Sequence, residues 1–449
     1  MRYVIIGNGA AGATAAQTIR QNDAAGEIII LTAEPYPMYS RPGLAYVLIK
    51  EVPPEQIMAR TLNWYEEWGI NLVLGEAVSL DVEQQVVRLG DGRSLTYDRL
   101  LIATGARATP PPYPGAELDG VVYLDTLDGT QELVKKTRRA RRAVVIGGGI
   151  TALELTEGLT HRGVDTHYFL RRNRLWSQVF NDEEAALLEK KMKSHHVHIH
   201  YNTEAVEIVG DRRGRVRSVR LKDGSEFRCD LVGVAIGVKP LIDVVANSPI
   251  ATDRAILVNA QMQTNVPNVY AAGDCAQVYD RWTGQHTLDI LWPSAVAEGN
   301  AAGLNMVGKP YTYEKGSPFN ACLLFGLHIT TMGQINPRRE EDADEPQILQ
   351  HISRGSSEVW YTYPRPYRSA WSAENENTIR LVLSGDYLVG ALVIGEQSLT
   401  DSLRYLIEHQ VNIGSMIADL SAGGTQMRRR LMQFWQSLLP EKKIVESEK

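Results

Sequence analysis

Three glycines near the start of the chain are the first residues whose spacing points to a chemistry. Gly7-Asn8-Gly9-Ala10-Ala11-Gly12 follows a short apolar run, Tyr3 to Ile6, and leads into alanine-rich helix formers up to about Gln21. A second apolar run, Ile28 to Leu31, ends in an acidic residue, Glu34. Gly7 permits the tight turn out of a strand, Gly9 lets a pyrophosphate approach the backbone, and Gly12 lets the helix lie close to the sheet. The helix N-terminus, at Ala10 and Ala11, offers N–H groups to phosphate, and an acid at the second strand's tip accepts from ribose hydroxyls. Strand, turn, helix, strand and acid in this order specify a dinucleotide-binding unit rather than an incidental glycine turn.

The pattern occurs twice. Ala143 to Ile146 reads as a strand, and Gly147-Gly148-Gly149-Ile150-Thr151-Ala152-Leu153-Glu154 is G-x-G-x-x-A opening a helix. Thr166 to Leu170 is the second strand, and two fingerprints imply two bound dinucleotides. Here Leu170 stands where a ribose-binding acid is expected, followed by Arg171, Arg172, Asn173 and Arg174. An acid accepts from a 2′-hydroxyl and repels a 2′-phosphate, whereas arginines do the reverse. The arginines favour NADPH over NADH; read as a solvated turn, they leave NADH usable.

Further stretches carry the chain between these units. Pro35 to Tyr46 is a proline-rich loop in which Arg41 either reaches a phosphate or cofactor edge or stands as a solvated arginine. Residues 54–68 read as one amphipathic helix, and 70–102 as hairpins with a turn at Asp91-Gly92. Tyr97 to Gly105 is a strand ending in Ala103, Thr104 and Gly105, small enough for a cofactor edge to pass. Thr109 to Pro114 is a stiff linker marking a domain boundary. Asp230 to Pro240 is another strand, ending in Gly237-Val238-Lys239-Pro240 and carrying the chain back to the first domain. Val269 to Asp274 places a carboxylate at the carboxyl edge of a parallel sheet, and 294–307 is a small-residue helix packed on it. From 311 the texture turns to short strand-like runs (Leu323–Thr331, Glu358–Tyr363, Ile379–Leu383, Tyr387–Ile394) and helices at 397–409 and 425–438.

Composition narrows the classes. At 449 residues the chain needs more than one core, and a net charge of −6 speaks against nucleic-acid binding. Cys229, Cys275 and Cys322 form no C-x-x-C or similar pair, which fits a reducing compartment, and Cys275 reads as a packed residue rather than a nucleophile. No run of about 18 apolar residues offers a membrane span, and the expected location is the cytoplasm. His196, His198 and His200 alternate, so a strand would align them as metal ligands or leave them as a solvated edge; no fourth ligand is apparent, and no metal is expected. The basic clusters Lys135–Arg142 and Arg428–Arg430 either steer an acidic partner or are solvated faces.

Five motifs in order carry a family likeness: Gly7–Gly12, Tyr97–Gly105 (YDRLLIATG), Gly147–Glu154, Gly237–Pro240 (GVKP) and Ala271–Asp274 (AAGD). Over residues 1 to about 335 the sequence resembles the FAD-dependent pyridine nucleotide–disulfide oxidoreductase superfamily. Within it the chain looks most like the branch of rubredoxin and ferredoxin reductases and the flavoprotein part of nitrite reductase. The resemblance implies an α/β fold: two Rossmann-like domains of the glutathione-reductase type plus a C-terminal α+β interface domain. The corresponding bounds are 1–112 and 239–310 for FAD, 113–238 for NAD(P), and 311–449 for an interface domain that would form a homodimer. It also implies FAD at the first fingerprint, with Glu34 on the adenosine ribose and Gly273-Asp274 on the ribitol. A nicotinamide nucleotide is implied at the second, with Glu154 near its ring. Arg41 stands in the place of a flavin-proximal lysine, and Glu154 and Arg41 are the candidate catalytic residues.

The departure is as informative. Disulfide-reducing members carry C-x-x-x-x-C after the first acid, whereas this chain has Ser40-Arg41-Pro42-Gly43-Leu44. Without a thiolate there, dithiol chemistry is excluded at that site and electrons must leave the flavin directly. The implied activity is electron transfer from NAD(P)H through FAD to a protein or small-molecule acceptor, with a small iron–sulfur or rubredoxin-like protein as the candidate partner. The alternatives are an NAD(P)H oxidase or quinone reductase, and a flavoprotein with a mainly binding role.

Overall fold

A computed structural model describes residues 1–280, 284–335, 367–374, 377–420 and 424–438. The chain divides into two compact units, one of Met1–Gly316 and one beginning at Ser317. The first unit holds two parallel sheets. In chain order these take β1 (Arg2–Ile6), α1 (Ala10–Asn22), β2 (Glu27–Thr32), β3 (Ile70–Leu74) and β4 (Arg99–Ile102). The chain then leaves for β5 (Val121–Val122), β6 (Arg142–Ile146), α2 (Ile150–His161), β7 (Asp165–Phe169), β8 (His198–His200) and β9 (Leu231–Val234). It returns with β10 (Val269–Ala271) and α3 (Trp292–Met306). The first sheet has the order β10-β4-β1-β2-β3 and the second β8-β7-β6-β9-β5. In each, the glycine-rich turn leaves the central strand, where the strand order reverses and ligands of open α/β sheets bind.

The strands form where the sequence is apolar without interruption. Val4, Ile5, Ile30, Leu100, Leu101 and Ile102 are all buried, as suits a parallel sheet covered on both faces. Residues 77–96 form the expected antiparallel hairpins, but 54–68 is not one helix. A 3₁₀ turn, Pro54–Ile57, gives way to a helix at Leu62–Glu67, whose start is capped when the Thr61 hydroxyl accepts from Trp64 N–H. Apolar periodicity runs through both pieces, and the Thr61 cap marks the break.

Small residues set how α3 lies on α1. A Cβ added at Gly299 would stand 2.3 Å from the Ala11 carbonyl oxygen, and one at Gly303 2.9 Å from that of Ala15. The two helices therefore touch backbone to backbone. Residues up to Gly316 group with this first unit, and Lys315 is buried in it.

The second unit is an antiparallel sheet of β11 (Phe319–Leu324), β12 (Leu327–Gly333), β13 (Tyr367–Glu374), β14 (Asn377–Ser384) and β15 (Tyr387–Ile394), ordered β11-β12-β15-β14-β13. Helices α4 (Thr400–Glu408) and α5 (Gly424–Leu438) follow. Leu381, Val393, Leu403, Leu406 and Leu431 share its core. The run Leu323–Thr331 is two strands turning at Phe325 and Gly326, both at positive φ. The expected strand at Glu358–Tyr363 lies outside the described residues. Among the described residues, no helix is long and apolar enough to cross a membrane.

The α1–α3 contact is directly testable. Gly299→Val would drive side-chain carbon into the Ala11 backbone, which cannot move as a side chain can. A loss of roughly 2 kcal/mol or more is expected, read as a lower thermal midpoint with weaker flavin retention. An unchanged midpoint would show that the two helices do not pack this closely.

Candidate active site on two glycine cradles

The first cradle is built by close approach. Gly7 has φ +117°, and a Cβ there would meet the Ala103 carbonyl oxygen at 2.0 Å. Gly12 is equally constrained, its Cβ position lying 2.0 Å from the Gly7 carbonyl oxygen. Beside Gly9 an added Cβ would meet nothing within 4 Å. Gly9 caps α1 with no side-chain hydrogen bond, so the first helical N–H groups face an open backbone surface. Gly273, at φ +78°, lies over Ala11, with 3.2 Å from its Cβ position to the alanine methyl. Thus Gly7–Gly12, Ala103–Gly105 and Gly273–Asp274, far apart in sequence, meet in one place. Thr104 joins them by donating its hydroxyl to the Leu241 carbonyl at 2.5 Å. The open space at Gly9, the uncapped helix end and the half-buried Asp274 fit a dinucleotide such as FAD.

Glu34 sits at the tip of β2 with its carboxylate held in place. Tyr39 donates its hydroxyl to Oε2 at 2.7 Å, and Arg41 donates to Oε1 at 2.8 Å. A carboxylate has about four lone-pair sites, so ribose hydroxyls retain acceptors there. The same Arg41 donates to the Asp125 carbonyl at 2.8 Å and pairs with its carboxylate at 3.5 Å. Arg41 is therefore a fixed, partly buried cation between two acids rather than a solvated arginine.

Asp125 also borders the second cradle. A cleft there is lined by Asp125, Gly149, Ile150, Thr151, Ala235 and Gly237, among others. Gly147, at φ +154°, approaches the Ala235 carbonyl, 2.2 Å from its Cβ position, and the Ala152 methyl, 3.0 Å away. Gly149 caps α2 without a side-chain bond, repeating the α1 arrangement. Gly237 precedes a strand, Val238–Pro240, that pairs antiparallel with Ala106–Ala108. Glu154 lies on α2, 1% exposed.

Register corrects one reading of the second strand tip. Leu31 pairs with Ile6 and Phe169 with Ile146, the ends of the two central strands. Three residues beyond these partners stand Glu34 and Arg172, so Arg172, not the buried Leu170, holds the acid's place. Arg171 and Arg172 are exposed there, whereas Arg174 is tied to Asp182 at 2.9 Å.

Behind the first cradle lies an acid group the sequence reading passed over. Glu298 on α3 is buried and accepts from Gly273 N–H at 2.7 Å. Burial pushes its carboxyl well above the ordinary range, and neighbouring Asp289 adds to the shift. Asp289 is itself raised by burial, an effect opposed by Lys315, and it accepts from the Ser294 hydroxyl at 2.8 Å. A lone acid among the small residues of SAVAEGNAAG was the available signal. Tyr39 and Asp125 were missed as well, being unremarkable in sequence and defined only by what they hold.

Outside the cradles, the basic clusters have acidic neighbours of their own and the thiols are packed away, as read for Cys275. Arg428 and Arg430 pair with Glu396 and Asp419, and in the other basic cluster Lys136 and Arg142 pair with Asp119 and Asp165. The described cysteines are all free and buried, and burial raises the thiols of Cys229, to about 12, and Cys275. The histidines do not align as expected: β8 spans only His198–His200, and His196 sits in a turn at φ 64°.

Two glycine cradles on two parallel sheets of one unit define an oxidoreductase fold for two dinucleotides. The comparisons agree: residues 1–299 match the family model described as pyridine nucleotide-disulphide oxidoreductase, and the chain belongs to that family. Its members are FAD-dependent NAD(P)H oxidoreductases. A nitrite reductase [NAD(P)H] of Bacillus subtilis is 30% identical over 92% of this chain and 48% of its own length. A rubredoxin-NAD(+) reductase of Pseudomonas putida is 31% identical over 62% of this chain and 72% of its own. The ferredoxin reductase for the CYP199A2 system of Rhodopseudomonas palustris superposes with a TM-score of 0.81 at 24% identity, covering 94% of this chain and 98% of that one. The chain spans about half the length of the first curated relatives it matches, at 43% and 48%.

Glu298 yields a pH test. An acid raised in the folded state adds stability that is complete below the unfolded value, near 4.5, and lost as pH rises toward its folded value. Glu298→Gln keeps an oxygen acceptor for Gly273 without the titration. Its thermal midpoint should fall less steeply than the parent's from about pH 5 upward, at up to about 1.4 kcal/mol per pH unit while the groups differ. Identical slopes would mean that Glu298 ionises normally.

Proposed function

We propose that this chain uses FAD and a nicotinamide nucleotide, with NADPH preferred over NADH, to pass electrons to a small iron–sulfur or rubredoxin-like protein without a redox disulfide of its own. The observation that carries the reading is the pair of uncapped helix N-termini, α1 and α2, one on each parallel sheet. FAD, when bound, supplies hydride acceptance and one-electron release. The chain's own residues position it. Gly7–Gly12 and the α1 N-terminus take the pyrophosphate, Glu34 the adenosine ribose and Asp274 the ribitol hydroxyls. Ala10, Ala11, Ala103, Thr104 and Gly105 form the walls. At the second cradle, Gly147, Gly149, Ile150 and Ala152 hold the nicotinamide nucleotide's pyrophosphate, Gly237 closes the cleft, and Glu154 lies toward the nicotinamide. Arg41, fixed by Glu34 and Asp125, supplies a positive charge between the two sites.

Nucleotide choice rests on Arg172. Its place, where the first unit has Glu34, suits a 2′-phosphate, and Arg171 beside it adds a second cation. The acceptor is inferred from the relatives that reduce rubredoxin or ferredoxin and from the lack of a cysteine in the segment directly following Glu34, residues 35–46. A relative named NADH oxidase, from Methanocaldococcus jannaschii and 31% identical, keeps direct transfer to oxygen as the second reading. A homodimer through residues 311–449 remains part of the proposal, as do the domain bounds.

The test is anaerobic mixing of the flavin-loaded protein with NADPH and, separately, NADH, followed by flavin bleaching. Faster bleaching by NADPH is expected, and Arg172→Asp should move the ratio toward NADH by roughly tenfold or more. Reduced protein should then be reoxidised faster by rubredoxin or a ferredoxin than by oxygen. Failure of both nucleotides to bleach would end the oxidoreductase reading, whereas preference for oxygen would transfer it to the oxidase.

A further inference from the structure

The second sheet carries, along its outer edge, a group of side chains that the nucleotide chemistry does not use. β7 and β8 run parallel, with His167 paired to His198 and Phe169 to His200. Alternation along the strands puts Asp165, His167, His198 and His200 on one face. The His167 and His198 rings stack 4.6 Å apart at 17°. His167 Nε2 lies 3.4 Å from Asp165 Oδ2, and His198 Nε2 lies 3.3 Å from Asp165 Oδ1. One donor atom each from Asp165, His167 and His198 fall within 4.8 Å of one another.

We propose that Asp165, His167 and His198 form a site for one divalent transition-metal ion of the zinc type, with His200 orienting His167. The distances favour it. Zinc binds imidazole nitrogen at about 2.0–2.1 Å and carboxylate oxygen at about 2.0–2.2 Å, so donors at tetrahedral corners stand about 3.3–3.5 Å apart. Each imidazole stands at about that length from one of the two carboxylate oxygens, His167 at 3.4 Å from Oδ2 and His198 at 3.3 Å from Oδ1. A single oxygen with both imidazole nitrogens falls within 4.8 Å, close enough for a modest side-chain rotation to close the site. His200 Nε2 stands 2.9 Å from His167 Nδ1, the outer partner that fixes the ring and directs the other nitrogen to a metal. Arg142 Nε donates to Asp165 Oδ2 at 2.9 Å, which sets the carboxylate's rotation and leaves Oδ1 toward His198. Two imidazoles and one carboxylate suit zinc, cobalt or nickel better than magnesium or calcium. Side-chain exposures of 56% for His198 and 38% for Asp165 leave an entry path and a fourth position for water.

The ion would join β8, a three-residue edge strand, to its neighbour. Asp165 begins β7, whereas Arg171 and Arg172 follow its other end. The site is thus separate from the nucleotide cradle and would stabilise the sheet rather than react.

The experiment uses full-length, flavin-loaded, untagged protein, stripped with a chelator and titrated with Co²⁺ and then Zn²⁺. One Co²⁺ per chain is expected, with visible ligand-field absorption, displacement by Zn²⁺ and a rise in thermal midpoint. His198→Ala, on an exposed side chain, should abolish uptake while leaving flavin content and the rate of reduction by nicotinamide nucleotide unchanged. His200→Phe should weaken binding by roughly ten- to a hundredfold. His196→Ala should bind as the parent does. Absence of stoichiometric uptake, or uptake that survives His198→Ala, would overturn the proposal and leave these contacts as hydrogen bonds only.

Discussion

The structure depends on backbone coming closer to backbone than any side chain would allow. At Gly7 the turn leaving β1 lies on the Ala103 carbonyl, and at Gly299 α3 lies on Ala11. With Gly273 over the Ala11 methyl, these contacts hold together three segments that are remote in sequence: the first fingerprint, the segment after β4 at Ala103 and the loop carrying Asp274. A cofactor surface made largely of backbone has little tolerance for displacement. Its N–H groups are useful only while the chain that presents them is held still. The second cradle repeats the device with Gly147 on Ala235.

Such close packing leaves polar groups with few places to go, and the first unit satisfies them in buried clusters. Glu298 serves the Gly273 amide, Asp289 takes the Ser294 hydroxyl, and Lys315 lies 3.3 Å from Asp280 while donating to Thr287 at 2.9 Å. A charged pair alone in this setting would be a weak stabiliser, because desolvation opposes its attraction. Here each group also has hydrogen-bonding neighbours, and the Glu298 bond to Gly273 N–H ties α3 to the loop carrying Asp274.

Much of this was legible in the sequence because it is local. Both glycine turns, the apolar central strands and the small-residue helix follow from residue type and spacing within about 30 positions. The Thr61 cap inside 54–68 was overlooked because amphipathic spacing continues across it. The acid's place at the second strand tip was set two positions early, at Leu170, because sequence cannot state which residues pair, and the pairing of Phe169 with Ile146 moves the tip to Arg172. Tyr39 and Asp125 were invisible for a related reason, each being defined by a partner 5 or 84 positions away, whereas Glu298 stood out only as a lone acid among small residues. The histidines failed differently. Alternation is necessary for a shared face, but the strand began at His198, and the third imidazole came from β7.

One consequence follows from the short ribbon of Ala106–Ala108 and Val238–Pro240. The chain passes to the second sheet through the first of these strands and comes back through the other, and they are hydrogen-bonded side by side. Both covalent links therefore lie at one point, like the leaves of a single hinge. Tilting the second sheet against the first would bend that ribbon while leaving both cradles internally unchanged. Away from the ribbon in sequence, Arg162 donates to the Val47 and Leu48 carbonyls at 2.9 and 2.7 Å and ties the end of α2 to the first part of the chain. Any such tilt would have to break both of those hydrogen bonds as well.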